Sequence, residues 1–425
     1  MPPEVTASGG EGWKLMGEET SDRLVQQRTK LYRVRTIREK WVKVSPGGLW
    51  KPGSMVTADL PDWCLPRLMA DTSVLAELLV GKYGFSLPLH RQEQMNQFSG
   101  FPIARSTMSD WTETSFNLAL PIVDAMHAES LLESFQIATD ATGAPVRIKG
   151  GTAHWHLFVF ISDAGHITFR PTRHHSSAAI KTVLEGFEGH LLADASSIYK
   201  ALYLMGVVPV ACWAHVRRYF WKATLTEPQL ANQAMALIKV IFDIAAKSKK
   251  LRVSDRAAYR LEYAAPIIEE MDIWVSEAKA KAAEGGKVQR ALTYYSNQRE
   301  ALGRFVTDGR LEADNNGSER ELRNLVMGLN NWQHFETKAG LQWFAVFRSL
   351  ISSCKLHDIN PYTYLEQMLR LARHWPADRK IELSPKYWRA TVEGLNAHHR
   401  AIVEPPWKGQ MDKPPPMAPA HQSAA

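Results

Sequence analysis

Apolar residues recur with two different periods along the chain, and the change of period divides it into segments. Between residues 71 and 132, leucines such as Leu75, Leu78 and Leu79 recur at helical spacing, which predicts a helical region. From residue 133, alternating and continuous apolar runs predict strands. Three strand runs come first, in FQIATDATGAPVRI, TAHWHLFVFISD and HITFRPT. Helix and strand runs then alternate, with helices in SSAAIKTVLEGF, SSIYKALYLMG and HVRRYFWKA and strands in GHLLADA and VVPVACWA.

This order of elements predicts an α/β fold with a mixed sheet. Ala164 and Gly165 form a short loop between the second and third strand runs, so the first three strands should be antiparallel. Helical crossovers would then add two parallel strands. That is the arrangement of a ribonuclease-H-like catalytic core. Residues 223–308 are helical in pattern throughout, which predicts an inserted all-helical domain between the two parts of this core, residues 133–222 and 309–376.

The segments outside this core have weaker patterns. Residues 1–30 predict a flexible lead-in, and residues 31–70 a small basic β element that breaks at Pro46, Gly47 and Gly48. Residues 71–132 predict a helical N-terminal DNA-binding region. There, two helices joined by a turn at Gly100, the second capped by Ser106, are typical of a helix-turn-helix, although such pairs occur in many helical domains. Residues 377–425 predict an irregular, Pro-rich tail.

Composition and charge limit the environment and the partners. The 51 Lys and Arg residues exceed the 44 Asp and Glu residues, which favours an anionic partner. We find no apolar run of 18 residues and no signal-like N-terminus, so we expect a cytoplasmic protein with no membrane partner. Cys64, Cys212 and Cys354 form no CxxC pair. Cys212 and His215 match half of a zinc site, but without a second pair zinc is not expected.

The helix predicted within residues 311–332 carries an unusual carboxylate, Glu319. Asp314, Asn315 and Asn316 supply helix-capping chemistry, so Glu319 should lie in the first or second turn. A buried salt bridge is the simplest explanation of an acid on an apolar face. The face expected to be apolar consists of Leu322, Leu325, Val326 and Leu329, and the face expected to be solvated or DNA-facing of Arg320, Glu321, Arg323 and Asn324.

Two further acids change this interpretation. Asp140 lies at the end of the first strand run and Asp194 ends the fourth, and these strands are neighbours in the predicted sheet. Asp140 alone could be a turn residue, and Asp194 a helix cap with Ser196. Together with Glu319, however, they form three converging carboxylates, which repel one another unless divalent cations neutralise them. The pattern predicts two Mg²⁺ ions, replaceable by Mn²⁺, and nucleotidyl transfer catalysed by these acids.

Basic and polar residues near these elements are candidates for contacts with DNA. His215 could orient the site or contact a phosphate, and arginines suit phosphate oxygens. The candidates are Arg105, Ser106, Thr107, His215, Arg217, Arg218, Arg320 and Arg323.

Several motifs resemble the insertion sequence 66 family of DDE transposases over roughly residues 30–375. The matching segments are KYGFSLPLHRQ, RSTMSDW, FEGHLLADASSIYKAL, CWAHVRRYF, DGRLEADNNGSERELR and NPYTYL. The resemblance implies that Asp140, Asp194 and Glu319 are the catalytic triad and bind two Mg²⁺ ions, and that the helical stretch is an insertion domain. It also implies cleavage of terminal-repeat DNA and joining to target DNA. We further expect a homo-oligomer on DNA and, in some elements, small accessory proteins.

Three features depart from the family pattern. WVKVSPGGLWK lacks the CxxC element usual at its position, and the chain begins later than full-length members. Asp140 is followed by Ala141 and Thr142 where Asp-Glu-Thr is usual, and Asp194 by Ala195 where Gly is common. Two alternatives therefore stay open. One is a metal-dependent nuclease or resolvase that cuts without joining, and the other is a catalytically silent DNA-binding remnant.

Overall fold

The computed structural model describes residues 31, 33–43, 53, 55–63, 65–66 and 68–405. The predicted lead-in at 1–30, the break at Pro46, Gly47 and Gly48, Cys64 and the end of the tail from 406 lie outside the described residues. Contacts divide the chain into two units, Met1–Thr36 and Ile37–Ala425. The described residues of the first unit, 31 and 33–36, are in neither a helix nor a strand.

Within the second unit, a short antiparallel pair joins β1 (Lys40–Trp41) to β2 (Val56–Thr57). A separate five-stranded sheet has the order β5-β4-β3-β6-β7. The first three strands along this chain segment are antiparallel neighbours, and β6 and β7 are added in parallel, as the sequence predicted. The strands are β3 (Gln136–Ile148), β4 (Gly151–Ser162), β5 (His166–Thr172), β6 (His190–Ala193) and β7 (Val208–Ala211).

The sheet is covered on both faces, which explains the continuous apolar runs in its strands. Leu157 and Val159 of β4 lie in a large buried cluster with helices that precede and follow the sheet in sequence. Phe158 and Phe160 point to the other face and lie in a second buried cluster with two short helices. Those helices are α4 (Ser177–Val183) and α5 (Lys200–Tyr203), the latter preceded by a 3₁₀ turn at Ser197–Tyr199.

The helices before the sheet include the predicted helix-turn-helix segment. Gly100 has a φ of +80° and forms the turn, as expected. The prediction that Ser106 caps the second helix is wrong, because that helix begins at Arg105 and its N-cap is Ala104. Instead, Glu93 accepts a hydrogen bond from the backbone N–H of Arg105 at 3.2 Å. The helices are α1 (Thr72–Leu79, continued by a π turn at Val80–Gly84), α2 (Leu89–Phe98) and α3 (Arg105–Glu133).

Residues 213–307 are helical, and their buried apolar side chains form a cluster that also includes Leu192 and Val210 from the end of the sheet. Arg260 is buried in this region and donates to the carbonyls of Phe305 and Leu311, each at 2.8 Å. It thereby holds the segment that leads back to the sheet. The helices are α6 (Trp213–Ala223), α7 (Pro228–Ser248), α8 (Val253–Lys281) and α9 (Lys287–Thr307).

The helices after this region cover one face and one edge of the sheet. The expectation of an irregular segment from residue 377 is wrong as far as residue 403, because Leu383, Trp388 and Ile402 are buried and hold short helices in place. The elements are α10 (Asn316–Trp332), α11 (Lys338–Leu356), α12 (Pro361–Leu371), a 3₁₀ segment (Ala377–Leu383), α13 (Trp388–Glu393) and α14 (Ala397–Val403). In the described part of the chain, no helix is long and apolar enough to cross a membrane.

Serine side chains of α11 protect the edge strand β5. The hydroxyl of Ser353 accepts from the backbone N–H of Ile167 at 3.0 Å, and that of Ser349 accepts from the N–H of Phe169 at 2.8 Å. Ser349 and Ser353 are four residues apart and therefore lie on one face of the helix. These bonds satisfy backbone groups that would otherwise offer an open edge for pairing.

The buried face of α10 differs from the predicted one. Leu322 and Leu325 are buried as expected, but Val326 is 46% exposed. Glu321, expected on the solvated face, instead accepts from the buried Arg348 guanidinium at 2.7 Å and from the Ser352 hydroxyl at 2.6 Å. The internal salt bridge of this helix is therefore made by Glu321.

We predict that Arg348→Met lowers the free energy of unfolding by about 3 kcal/mol, because it leaves a partly buried carboxylate without its cation. Urea unfolding measures the change. Adding Glu321→Leu should recover most of the loss, since both charges are then gone. Lys239→Met removes one partner of an exposed pair with Asp243 and should change stability by less than about 0.5 kcal/mol. A loss as small as that of the Lys239 variant would contradict the assigned role of the Arg348 pair.

Candidate active site

The pairing of β3 with β6 brings Asp140 and Asp194 together. The parallel register matches Ala138 with Leu192, and each acid lies two residues further along its strand direction. Side chains two residues apart share a face of the sheet, so both acids point to the same side from neighbouring chain segments. Neighbouring strands are about 4.8 Å apart. Asp194 follows β6 as predicted, whereas Asp140 lies within β3, opposite Val159, and not at its end.

Hydrogen bonds fasten the segment before α10 to β3 and to the residues that follow β7. The Asn315 side chain donates to the carbonyl of Thr139 at 2.7 Å, directly beside Asp140. The Asn315 backbone N–H donates to Sγ of Cys212 at 3.2 Å, and the Trp213 N–H donates to the carbonyl of Ala313 at 2.9 Å. Asn315 is buried. These bonds fix where α10 begins relative to β3 and β7.

Glu319 lies in the first turn of α10, as predicted, with a side chain that is 24% exposed. Its Oε1 accepts from the Arg218 guanidinium at 2.6 Å. His215, one turn before Arg218 on α6, lies 3.8 Å from the same oxygen. Burial and the Arg218 charge lower the pKa of His215, so the imidazole is neutral at pH 7. Glu319 therefore forms a salt bridge with Arg218, but this pair is partly exposed and is not the buried salt bridge expected for an isolated acid.

The three acids interact electrostatically. Burial, together with the negative charges of Asp194 and Glu319, raises the pKa of Asp140 to about 6, although a backbone hydrogen bond and the Arg218 charge lower it. Asp140 accepts that bond from the Ala141 N–H at 2.8 Å. Asp194 accepts from the Ser196 N–H at 3.1 Å in a turn, and it does not cap a helix, because the N-cap of the following 3₁₀ turn is Ser196. Among the described residues, none donates to the second carboxylate oxygen of Asp140 or Asp194.

The chemistry of these donors fits a divalent cation, because hard cations prefer carboxylate oxygens and each aspartate keeps one oxygen for such a ligand. As the side chains stand, however, no three His, Cys, Asp or Glu groups of the described residues are grouped to hold one metal ion. Glu319 is turned to Arg218. Cys212 does not offer a thiolate, since burial raises its pKa to about 11.

The predicted DNA-binding residues fall into separate groups. Arg320 and Arg323 are exposed on α10 beside Glu319. Arg217 lies over the ring of Phe242 of α7, 6.0 Å from its centroid. Arg105 pairs with Glu93 at 3.0 Å. Together with Ser106 and Thr107, it lies at the start of a helix about 43 Å long, at the opposite end from the residues that enter β3.

Sequence analysis missed two residues that organise the site. Asn315 was assigned to helix capping, but its side chain makes no capping bond, and Asp314 accepts from the Asn316 N–H instead. The sequence pattern did not single out Arg348, although an arginine within the apolar run of α11 needs a buried acceptor. The Glu321 contact shows that the acceptor is two residues from Glu319.

We predict that Asp140→Asn stabilises the metal-free protein by about 2 kcal/mol at pH 8, following the raised pKa. Because the folded state binds this proton more tightly than the unfolded chain, the ionised carboxylate costs stability above pH 6. The difference between variant and wild type should shrink as the pH falls through 6 and vanish near 4. Urea unfolding in EDTA measures it, with the exposed Asp110→Asn as control. A pH-independent difference would contradict the charge interaction.

Comparison with known proteins assigns the chain to a family. The family model described as "Transposase IS66 family" matches residues 67–343, and that described as "IS66 C-terminal element" matches residues 349–385. Two similar proteins of Sinorhizobium fredii (strain NBRC 101917 / NGR234), uncharacterized proteins y4hP and y4qI, are 24% and 28% identical. In each case the similarity covers 91% of this chain and 74% of the relative. The two family models cover the helical N-terminal region, the sheet and α10, so the chain belongs to the IS66 family of transposases.

Proposed function

We propose that this protein cleaves the DNA ends of an insertion sequence and joins them to target DNA, using a ribonuclease-H-like core. The observation that supports the proposal is that three carboxylates from separate elements lie near enough for the charges of Asp194 and Glu319 to raise the pKa of Asp140: Asp140 in β3, Asp194 after β6 and Glu319 in α10. The mixed sheet, with three antiparallel strands extended by two parallel ones, supports the assignment of the core. On this proposal, helices α7–α9 are an insertion within it.

Asp140 and Asp194 are the residues that would hold two Mg²⁺ or Mn²⁺ ions, with Glu319 completing the second site. When bound, such a pair of ions activates a water or 3′-hydroxyl nucleophile and stabilises the leaving oxygen. Asp140 and Asp194 each direct one oxygen to a backbone N–H, which orients the other. Burial and the negative charges of Asp194 and Glu319 raise the pKa of Asp140, so a divalent cation bound there would stabilise its ionised form.

The Arg218 guanidinium can pair with either of two acceptors, the Glu319 carboxylate or a DNA phosphate. In the absence of DNA, its guanidinium balances the charge of Glu319 at 2.6 Å. Its side chain is 47% exposed, so it can turn to solvent without crossing the core. We infer that a bound phosphate attracts Arg218 and releases Glu319 toward the two aspartates. Metal uptake at Glu319 and DNA binding would thereby support each other.

The exposed cations near the three acids are suited to pair with the phosphates of a DNA strand. Arg320 and Arg323 are exposed beside Glu319 and would contact phosphates near the cleaved bond. Arg105, Ser106 and Thr107 lie at the far end of α3 and would contact a more distant part of a terminal repeat. Since an element has two ends, each with a cleavage point, we expect at least two copies of the protein on DNA.

We predict that the purified protein, with Mn²⁺ or Mg²⁺, nicks a linear duplex carrying the element's end and produces joined strands. Asp194→Asn should lower both reactions by at least about 10³-fold, because it removes a carboxylate for which the proposed metal site has no substitute ligand. Gel analysis of end-labelled duplexes measures the two products. Asp110→Asn, an exposed acid on α3, is the matched control and should behave as wild type.

Three other outcomes would contradict parts of this proposal. Cleavage without joined product would replace the transposase proposal by a nuclease or resolvase. DNA binding without cleavage would indicate a catalytically silent protein. Cleavage that is unchanged in Asp194→Asn would refute the assignment of the three acids.

We predict that Arg218→Gln raises the Mn²⁺ affinity of the DNA-free protein by about 10-fold, since Glu319 no longer has a competing cation. Isothermal titration with MnCl₂ measures this without any reaction taking place. Arg217→Gln is the matched control, because it removes an adjacent arginine that lies over Phe242. Equal Mn²⁺ affinity in the two variants would refute the competition between Arg218 and metal.

A further inference from the structure

A group of cations surrounds the end of the β3–β4 hairpin, away from the acids. We propose that this hairpin patch, defined as Arg147, Lys149, Trp155, Arg173 and Lys338, binds the phosphate backbone of duplex DNA on one side of the cleaved bond. The proposal rests on the proposed function and adds a second contact surface to it. None of these five residues belongs to the DNA-binding residues predicted from the sequence.

Trp155 organises the centre of the patch. The guanidinium of Arg173 lies 5.8 Å from the centroid of its ring, and the ammonium of Lys338 lies 5.7 Å from it. Arg173 also donates to the carbonyl of His154 at 2.9 Å. Both cations are exposed, so their charges face solvent while the ring limits their motion. Two cations held near one ring are partly ordered before a ligand arrives, which lowers the entropic cost of binding one.

The hairpin end carries the other two cations and is fixed to α10 and α11. The Arg147 N–H donates to the carbonyl of Phe335 at 2.7 Å, and the Phe335 N–H donates to the carbonyl of Pro145 at 2.9 Å. The connection between α10 and α11 therefore continues the sheet at this point. Arg147 and Lys149 line a recess of about 900 Å³ between the hairpin and this connection.

The surroundings of the hairpin patch carry a net positive charge. Residues 147–156, 173–175 and 334–338 contain four permanent cations and one carboxylate, Glu336. Glu336 accepts from Arg147 at 3.0 Å, but both side chains remain more than half exposed. Lys338 is the first residue of α11, where the helix dipole disfavours a cation. An anion bound beside it would relieve this repulsion, which favours a phosphate partner over a solvated surface.

The distance along β3 between the acids and the hairpin patch indicates which anion the patch binds. Trp155 lies opposite Ala144, on the same face of the sheet as Asp140. Arg147 lies seven positions beyond Asp140 in β3, which corresponds to about 23 Å along the strand. At 3.4 Å per base pair, this is about seven base pairs of a duplex lying along the strand. A duplex cut at the acids is long enough to reach the patch, whereas a single nucleotide is not.

The experiment compares two double variants that remove equal charge. Arg173→Gln/Lys338→Gln changes the patch, and Lys279→Gln/Lys287→Gln changes two exposed lysines of α8 and α9. Fluorescence anisotropy with a labelled duplex of about 30 base pairs gives the affinity of each at several KCl concentrations. The patch variant should bind about 10-fold more weakly at low salt. The slope of log K against log salt should become shallower by about 2, since each lost phosphate contact contributes about 0.9.

The control should keep the wild-type affinity and slope. A patch variant that binds duplex DNA with the wild-type slope, while the wild type binds and cleaves DNA, overturns this inference and leaves the proposed function intact. A wild-type protein that neither binds nor cleaves the duplex overturns both. A loss of affinity for duplex RNA but not for duplex DNA also overturns the assignment of the partner. Equal circular dichroism melting curves would exclude unfolding as the cause of a loss.

Discussion

The hydrogen bond from the Asn315 side chain to the Thr139 carbonyl joins the helix that carries Glu319 to the strand that carries Asp140. Together with the bond from the Asn315 N–H to Cys212, it ties together the start of α10, β3 and the residue after β7. The bonds lie in the interior, where an unpaired amide is costly, so they hold firmly. The distances from Glu319 to the two aspartates depend on this junction, because Glu319 is only one helical turn beyond it, whereas the pairing of β3 with β6 sets the distance between Asp140 and Asp194.

The site combines charges that the fold must hold in place against their repulsion. Burial makes the ionised form of Asp140 less favourable, and the negative charges of Asp194 and Glu319 act in the same direction. Arg218 balances part of this charge from α6, while Arg348 fixes α10 from the interior through Glu321. The buried clusters around the sheet supply the stability that offsets this repulsion. A site of this kind is poised to accept cations, and DNA would supply the acceptor for Arg218.

Positive charge is distributed to suit a long ligand. Arg320 and Arg323 lie beside the acids, the hairpin patch lies at the far end of β3, and Arg105 lies at the distant end of α3. The rigid sheet and one continuous helix connect these positions, so their spacing does not depend on loops. Such an arrangement matches the regular repeat of a DNA backbone, in which phosphates far from the cleaved bond contribute to affinity.

The sequence by itself determined the order of strands and helices and placed two of the acids. The order of the strand runs predicted that the strands of Asp140 and Asp194 are neighbours, and the parallel register of β3 with β6 confirms this pairing. Only the tertiary structure decided which acid of α10 turns inward, because Glu319 and Glu321 both border the apolar stripe. Arg348 on α11 and Arg218 on α6, distant in sequence, select between them. The burial of Leu383, Trp388 and Ile402 and the acceptor provided by Glu93 were likewise decided by contacts between segments, which no local period encodes.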